Sequence, residues 1–205
     1  LFLPQDNRTW RGNIKKFRLG DGSTDRPDIW MLYDAANNDA INSSGEFLDN
    51  TNGFWGDDTD TNDTDNYGSS DVTEDGVGEV LTERVTSTFS ASGPDYWERP
   101  IYTYQEEVSP LPAYMKKIKY DTITKEDLNV TDDLTRDKVI NYLYGYTYDA
   151  NASHEPTGVR EWCLGSIVHS RPVVIDYYDP SDISKLQKRY VAVGANDGML
   201  HVFDD

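Results

Sequence analysis

The residues best suited to chemistry lie in an acidic stretch in the first half of the chain. Asp58, Asp60 and Asn62 occupy positions 1, 3 and 5 of an EF-hand-like loop, a spacing that turns successive oxygens toward one hard cation. Thr64, at position 7, would supply its carbonyl oxygen, and Asn66, at position 9, a water-bridged contact. The spacing therefore predicts a calcium site formed by these five residues.

The pattern departs from an EF-hand at two positions. Asp63 stands sixth, where glycine normally makes the sharp turn, and Ser69 stands twelfth, where a bidentate glutamate belongs. Asp71 would substitute for that glutamate only in a longer loop. The stretch 56–71 has no apolar periodicity, which predicts a long loop, extending to residue 76. A solvated acidic loop without an ion is the alternative interpretation.

Charge limits the classes of partner. The 205-residue chain has a formal net charge of −18, and no Lys or Arg lies between Arg26 and Arg84, where fifteen acidic residues fall. Such a chain repels phosphate backbones and attracts cations, so nucleic acid is not expected as a partner. No apolar run approaches the roughly 20 residues of a membrane span, and none is predicted.

No catalytic constellation is visible in the sequence. His154, His169 and His201 lie far apart without metal-ligand spacing, and the adjacent His169 and Ser170 would point to opposite faces of a strand. Cys163 is the only cysteine and is expected to be a small buried apolar residue. The sequence therefore predicts structural histidines and a protein that is not an enzyme.

Local patterns predict one hairpin and one helix before the final third of the chain. Segment 10–19 places Ile14 near Phe17 among charged residues, and segment 28–35 is a compact apolar run; together they favour two paired strands. Apolar residues at three- and four-residue steps predict a helix over about 134–144, with Asp132 or Asp133 as its cap and Gly145 as its stop. We expect this helix to pack against the strands through Val139, Tyr142 and Leu143.

The last forty residues predict a three-stranded antiparallel meander: "RPVVIDYYD", "RYVAVGA" and "GMLHVFD", with an Asn-Asp-Gly turn before the third strand. Strands this apolar are expected to be covered on both faces, as sheets stacked around a propeller axis are. The third strand would have an open edge, so 199–203 is expected to pair with a strand from the rest of a propeller or from a partner.

The amino-acid sequence of the predicted meander, "SIVHSRPVV…YVAVGANDGMLHVFD", resembles the blades of quinoprotein-type propellers in general. Three further stretches are similar, in the same order, to the PilY family of tip-associated adhesin and biogenesis proteins of type IV pili: "TWRGNIKKFRL", then "VTEDGVGEVLTERV" with "RPIYTYQ", then "LTRDKVINYLYGY…REWCLGSIVHSRPVV". The resemblance runs from about Trp10 to Asp204. Cys163, Ser166 and Arg171 depart from residues common in that family.

The resemblance implies a mainly β fold: a partial quinoprotein-like β-propeller with long acidic loop insertions and one short helix. It makes residues 1–205 a fragment of one propeller domain in a parent chain that extends beyond both ends. It implies an extracellular, cell-surface protein, at the pilus tip or associated with the outer membrane. Its expected partners are minor pilins and an unidentified receptor. Its expected function is adhesion and regulation of pilus assembly and retraction, modulated by calcium, although the family's calcium loop falls later in the propeller.

Two alternatives remain at this stage. A quinoprotein (PQQ-type) dehydrogenase shares the blade pattern, but such enzymes commonly carry an adjacent cysteine pair and this chain has one cysteine. A generic calcium-binding surface adhesin module would fit the acidic loop and the five Asn-x-Ser/Thr sequons. Bound quinone would favour the first alternative, and the absence of pilin from the purified protein would favour the second.

Calcium is expected to bind the acidic loop weakly, with a Kd on the order of 10⁻⁴ to 10⁻³ M, because the bidentate glutamate is missing. Isothermal titration of the wild-type chain beside the Asp58→Ala, Asp60→Ala double variant measures this. Heat of equal size from both proteins would place any bound ion elsewhere and leave the loop a solvated insertion.

Overall fold

The computed structural model describes residues 11–20, 31–48, 51–55, 75–85, 99–107, 111–148 and 156–205. Over these ranges the chain is mainly β, as expected, with small antiparallel sheets and two helices, and the described strands form no closed barrel or propeller. None of the described helices has the length and hydropathy of a membrane-spanning segment. The chain divides into two compact units, one formed by Leu1–Leu81 with Trp162–Asp205 and the other by Thr82–Glu161.

The elements follow in chain order: β1 (Arg18–Gly20), β2 (Met31–Tyr33), α1 (Gly76–Glu83), β3 (Tyr102–Gln105), β4 (Tyr114–Lys117), α2 (Asp133–Leu143), β5 (Tyr146–Thr147), β6 (Gly158–Val159), β7 (Val173–Asp179), β8 (Asp182–Gly194) and β9 (Leu200–Asp204).

The first unit begins with the predicted hairpin. β1 pairs with β2 in antiparallel register, with Leu19 opposite Leu32. Within the described residues, both strands are shorter than the segments that predicted them. A tight turn follows β2, in which the buried carboxylate of Asp34 accepts a hydrogen bond from the Asn38 amide at 2.7 Å. Asn37 takes the positive φ of 69° that the turn requires, a conformation that asparagine tolerates.

The predicted meander at the end of the chain is confirmed. β7, β8 and β9 form one antiparallel sheet in that order. The connection from β8 to β9 is tight because Gly198 adopts a φ of 81°. The core of the first unit lies beside this sheet and is built from Val77, Trp162 and Leu164, with partly buried apolar residues around them.

The prediction of a single helix is wrong, because α1 forms a second one. Its buried start, at Gly76 and Val77, falls where the acidic loop was expected to end. Gly78 lies so close to the Trp162 indole that a Cβ there would come within 2.1 Å of the ring. The helix therefore depends on a contact with a residue more than eighty positions away. No local apolar periodicity predicts this contact.

The second unit contains the predicted helix, α2, almost at its predicted bounds. Asp132 is the N-cap, and its carboxylate accepts from the Thr135 amide at 2.8 Å, as its residue type favours. The predicted packing face is wrong in one respect. Tyr142 is 53% exposed, whereas Ile140 and Asn141 are fully buried. Arg160 lies over the Tyr142 ring at 4.5 Å, which holds that ring at the surface.

Buried Asn141 organises the second unit. Its side-chain oxygen accepts a hydrogen bond from the Tyr120 hydroxyl at 2.5 Å, and its amide nitrogen donates to the Tyr148 hydroxyl. The Tyr144 hydroxyl donates to the Ile118 carbonyl at 3.0 Å. These bonds satisfy polar groups that would otherwise be costly to bury, and they connect α2 to the chain that follows β4.

Replacing Ile140 by alanine is expected to destabilise the protein by about 2–5 kcal/mol, because a fully buried isoleucine leaves a cavity. Tyr142→Ala is the matched control on the same helix and is expected to cost only about 0.5–1 kcal/mol, the value of an exposed cation–π contact. Chemical denaturation of both variants measures the difference. Equal losses would show that the buried face of α2 is misassigned.

Candidate functional site

The five predicted calcium ligands, Asp58, Asp60, Asn62, Thr64 and Asn66, lie outside the described residues, so the calcium site stays a prediction. Within the described ranges, no three His, Cys, Asp or Glu side chains come together as metal ligands would. The description resumes at Asp75, near the end of the predicted loop. Asp75 is buried, and its carboxylate accepts a hydrogen bond from the Gly53 amide. This last part of the predicted loop is therefore packed rather than solvated.

The candidate site is centred on the carboxylate of Asp197, in the turn between β8 and β9. The turn is closed by the Ala195 amide, which donates to the Met199 carbonyl at 3.1 Å. It projects the Asp197 side chain back along the sheet, and only 18% of that side chain is exposed. Aspartate is common in such turns, so the turn itself is expected from the residue type. The hydrogen-bond partners of its carboxylate are not predicted in this way.

Three N–H groups converge on the Asp197 carboxylate. Nε2 of His201 lies 2.7 Å from Oδ2, and the Gly165 amide donates to the same oxygen at 3.0 Å. The Met199 amide donates to Oδ1 at 3.0 Å. We refer to Asp197, His201, Gly165 and Met199 as the Asp197 node. Because a carboxylate only accepts, the geometry places the proton on Nε2 of His201.

The Asp197 node fastens the segment 162–170 to the meander. Gly165 approaches the turn so closely that a Cβ would lie 2.6 Å from the Asp197 backbone nitrogen, which explains the glycine. The Asn196 amide donates to the Ser166 carbonyl at 2.9 Å. Further along, the Ser170 hydroxyl accepts from the Gly194 amide at 3.0 Å. Segment and sheet are therefore joined at three successive points.

An aromatic layer lies behind the node. The His201 imidazole stacks on Phe203 with ring centroids 6.1 Å apart, and Phe203 packs against Trp55 at 6.5 Å. Lys16 lies over the Trp55 ring and forms an ion pair with Asp205. His201 is only 6% exposed, so its ring is held by packing on one side and by Asp197 on the other.

Burial of the Asp197 carboxylate favours its neutral form, but the hydrogen bond and charge of His201, together with the Gly165 and Met199 amides, outweigh this and lower its pKa. The carboxylate is therefore held ionised. An aspartate and a histidine at this distance occur in catalytic sites, but here the imidazole is buried and its partner is used to join two chain segments.

His201 has the satisfied environment that the sequence analysis expected of it, whereas His169 lies at the surface. Cys163 is 1% exposed, which fits its expected role as a small buried residue. The sequence analysis identified the Asn-Asp-Gly turn but missed the Asp197–His201 pair. The available signal was their spacing, because a residue in a turn and one four positions later can meet on one side of a hairpin.

The comparisons add no relative to this description. No protein-family model, no curated protein and no solved structure matches the chain.

Replacing Asp197 by asparagine is expected to cost about 1.5–3 kcal/mol at neutral pH, the usual contribution of hydrogen bonds to a charged group. Since the folded-state pKa is lowered, this stabilisation is complete above the unfolded aspartate pKa of about 3.9. It is lost as the pH falls through the lower folded-state value. The difference between wild type and variant should therefore shrink in acid.

Urea denaturation of both proteins at pH 7 and at successively lower pH measures this dependence. Asp121→Asn is the control, because this aspartate is exposed, and it should change stability by less than about 0.5 kcal/mol. A pH-independent loss in Asp197→Asn would contradict an ionised carboxylate in the node.

Proposed function

We propose that this chain belongs to a non-enzymatic cell-surface protein of the type IV pilus. In this proposal the protein is associated with the pilus tip through minor pilins, mediates adhesion to an unidentified receptor, and regulates pilus assembly and retraction, with calcium as a modulator. The proposal includes a propeller in which β7, β8 and β9 are three strands of one blade. It is supported by the resemblance of three sequence stretches to the PilY family, by the resemblance of the meander sequence to propeller blades in general, and by the two faces of the meander.

The observation that carries the proposal is the apolar outer face of the meander. Residues directly opposite in an antiparallel ladder project from the same face. The register pairs Val193 with His201, and both are buried, so this is the core face. The opposite, outer face carries residues that are apolar and mostly exposed: Val173, Ile175, Tyr177, Tyr190, Leu200 and Val202.

The exposure of the outer face is large. Leu200 is 71% exposed, Val173 58% and Val202 55%, whereas Ala192, which lies between Val173 and Val202 in the ladder, is 9% exposed. On the core face, the burial seen for β8 and β9 does not extend to β7, where Val174 is also 58% exposed. Contiguous apolar patches mark surfaces that bind something, and a sheet with apolar residues on both faces is typical of a layer between two others. Stacked propeller blades provide that environment.

The non-enzymatic part of the proposal is supported by the roles of the residues that chemistry would otherwise use. The imidazole of His201 is committed to Asp197, and the single cysteine is buried. The calcium part is supported by sequence alone, from the spacing of Asp58, Asp60 and Asn62 and from the net charge of −18.

Co-purification tests the pilus proposal. The protein isolated from its source cells with an antibody against this chain is expected to carry pilin subunits, and deletion of its gene is expected to abolish surface pili or surface attachment. Normal piliation and attachment in the deletion strain, together with purified protein free of pilin, would refute the proposal. Quinone absorbance in the purified protein would favour the dehydrogenase instead.

Substitution on the outer face connects the phenotype to the structure. Val202→Asp is expected to leave the 205-residue chain folded, because the side chain is already exposed, but to prevent complementation of the deletion strain. Ile183→Asp is the matched control. Ile183 is 83% exposed near the β7–β8 connection, away from the outer-face patch, and its variant should complement normally. Full complementation by Val202→Asp would show that the outer face needs no cover.

A further inference from the structure

Two of the five Asn-x-Ser/Thr sequons lie within the described residues, at Asn42 and Asn129. The motif is the acceptor signal for N-glycosylation, in which a glycan is attached to the asparagine side-chain nitrogen. A motif this short also occurs by chance. The environment of each asparagine therefore decides whether it can serve as an acceptor.

The side chain of Asn42 is committed to its own turn. Its oxygen accepts hydrogen bonds from the Ser44 amide at 2.9 Å and from the Glu46 amide at 3.0 Å, and its nitrogen donates to the Glu46 carboxylate at 2.9 Å. The residue is half-buried. Rotating this side chain toward solvent would break all three bonds, and a glycan on its nitrogen would displace Glu46. The fold therefore withholds Asn42 from modification.

Asn129 has the opposite environment. It is exposed, and its side-chain amide makes no hydrogen bond within the part of the chain that the structure describes. Glu126, Thr131 and Asp133 nearby in sequence are exposed as well, so the surface around Asn129 is polar and open. The nitrogen that would carry the glycan is thus accessible, and no described hydrogen bond has to be broken to reach it.

Two backbone hydrogen bonds fix the position of Asn129. Its amide donates to the Glu126 carbonyl at 3.1 Å, and the Val130 amide donates to the Lys125 carbonyl at 2.9 Å. This is the pattern of a Schellman turn, in which the residue at this position adopts a positive φ, here 53°. Glycine is the usual residue there, so the turn explains the positive φ without requiring an asparagine side chain.

The hydroxyl of the sequon is also exposed, and it is held at the start of α2. Thr131 donates from Oγ1 to the Asp132 carboxylate at 2.9 Å, and Asp132 is the N-cap of the helix. The Thr135 amide donates to the other oxygen of Asp132 at 2.8 Å. The acceptor nitrogen and the hydroxyl that completes the signal therefore lie at a defined, solvent-facing junction between the turn and α2.

We propose that Asn129 is an N-glycosylation site and that the fold withholds Asn42. The inference rests on the proposed function, because only an exported chain meets a glycan transferase that works on the outer side of the membrane. The donor is a glycan linked to a polyisoprenyl diphosphate.

The transfer is a substitution at C1 of the first sugar. A bond forms between C1 and the side-chain nitrogen of Asn129, while the bond from C1 to the diphosphate oxygen breaks and its electron pair leaves with the lipid diphosphate. The nitrogen loses one proton to a base of the transferase. No oxidant or reductant takes part.

Mass spectrometry of the protein isolated from its source cells tests the site. Trypsin together with a glutamate-specific protease releases the two asparagines in separate peptides, 127–136 and 19–46, each of which contains one sequon. Peptide 127–136 is expected to be heavier than its sequence by one glycan, and peptide 19–46 to have its sequence mass. The unmodified mass for 127–136, or a glycan on 19–46, would overturn the inference.

Substitutions made in the source cells show which atom carries the glycan. Asn129→Gly keeps the turn, because glycine adopts a positive φ without strain, and should abolish the mass shift. Thr131→Ala should also abolish it, whereas the matched Thr131→Ser, which keeps the hydroxyl, should retain it. A glycan that persists in Asn129→Gly would be attached to another atom of the peptide, such as the Thr131 oxygen, and would contradict the assignment.

The outcome is separable from that of the pilus proposal. Both are measured on one preparation, because the antibody that isolates the protein also retains its partners. A glycan on Asn129 in protein that carries no pilin would leave the site standing and refute the pilus function. Unmodified Asn129 in protein that carries pilin would refute the site alone.

Discussion

The first unit depends on the ionised carboxylate of Asp197. A partly buried charge is tolerated only when hydrogen bonds replace its lost hydration, and here His201, Gly165 and Met199 supply them. These donors come from the turn, from β9 and from the segment before β7. One side chain therefore fixes the meander against the segment 162–170 that precedes it. The aromatic layer through Phe203 and Trp55 then packs on a sheet whose position is already set.

The second unit also buries a polar group whose hydrogen bonds replace its hydration, but that group is neutral. Asn141 is fully buried, and it is satisfied by two tyrosine hydroxyls on either side. An amide can both donate and accept, so one residue connects two phenols without any charge to neutralise. In a chain of net charge −18, a neutral buried network avoids adding to like-charge repulsion. The two units thus use different polar chemistry to hold similarly small cores.

The described sheets are small, and one face of the meander carries several exposed apolar side chains. Val191 and Val193 are in the core, whereas Val173, Leu200 and Val202 on the opposite face of the sheet are more than half exposed. Burial of apolar surface is the main favourable term in folding and association, so this outer face is an unused source of binding free energy.

The sequence by itself determined the elements whose signals are local. The Asn-Asp-Gly turn, the alternation within the last three strands, and the Asp132 cap and Gly145 stop of α2 each act within a few residues. They predicted the helix close to its observed bounds and the three strands of the meander in order, although β8 begins at Asp182, seven residues before the predicted second strand. Tertiary structure alone decided the rest. α1 forms because Gly78 fits against Trp162, and Tyr142 is exposed because Ile140 and Asn141 take the interior. Gly165 meets Asp197 across thirty-two positions. These contacts join residues distant in sequence, and residue type and periodicity carry no information about which distant partner the folded backbone will bring into reach.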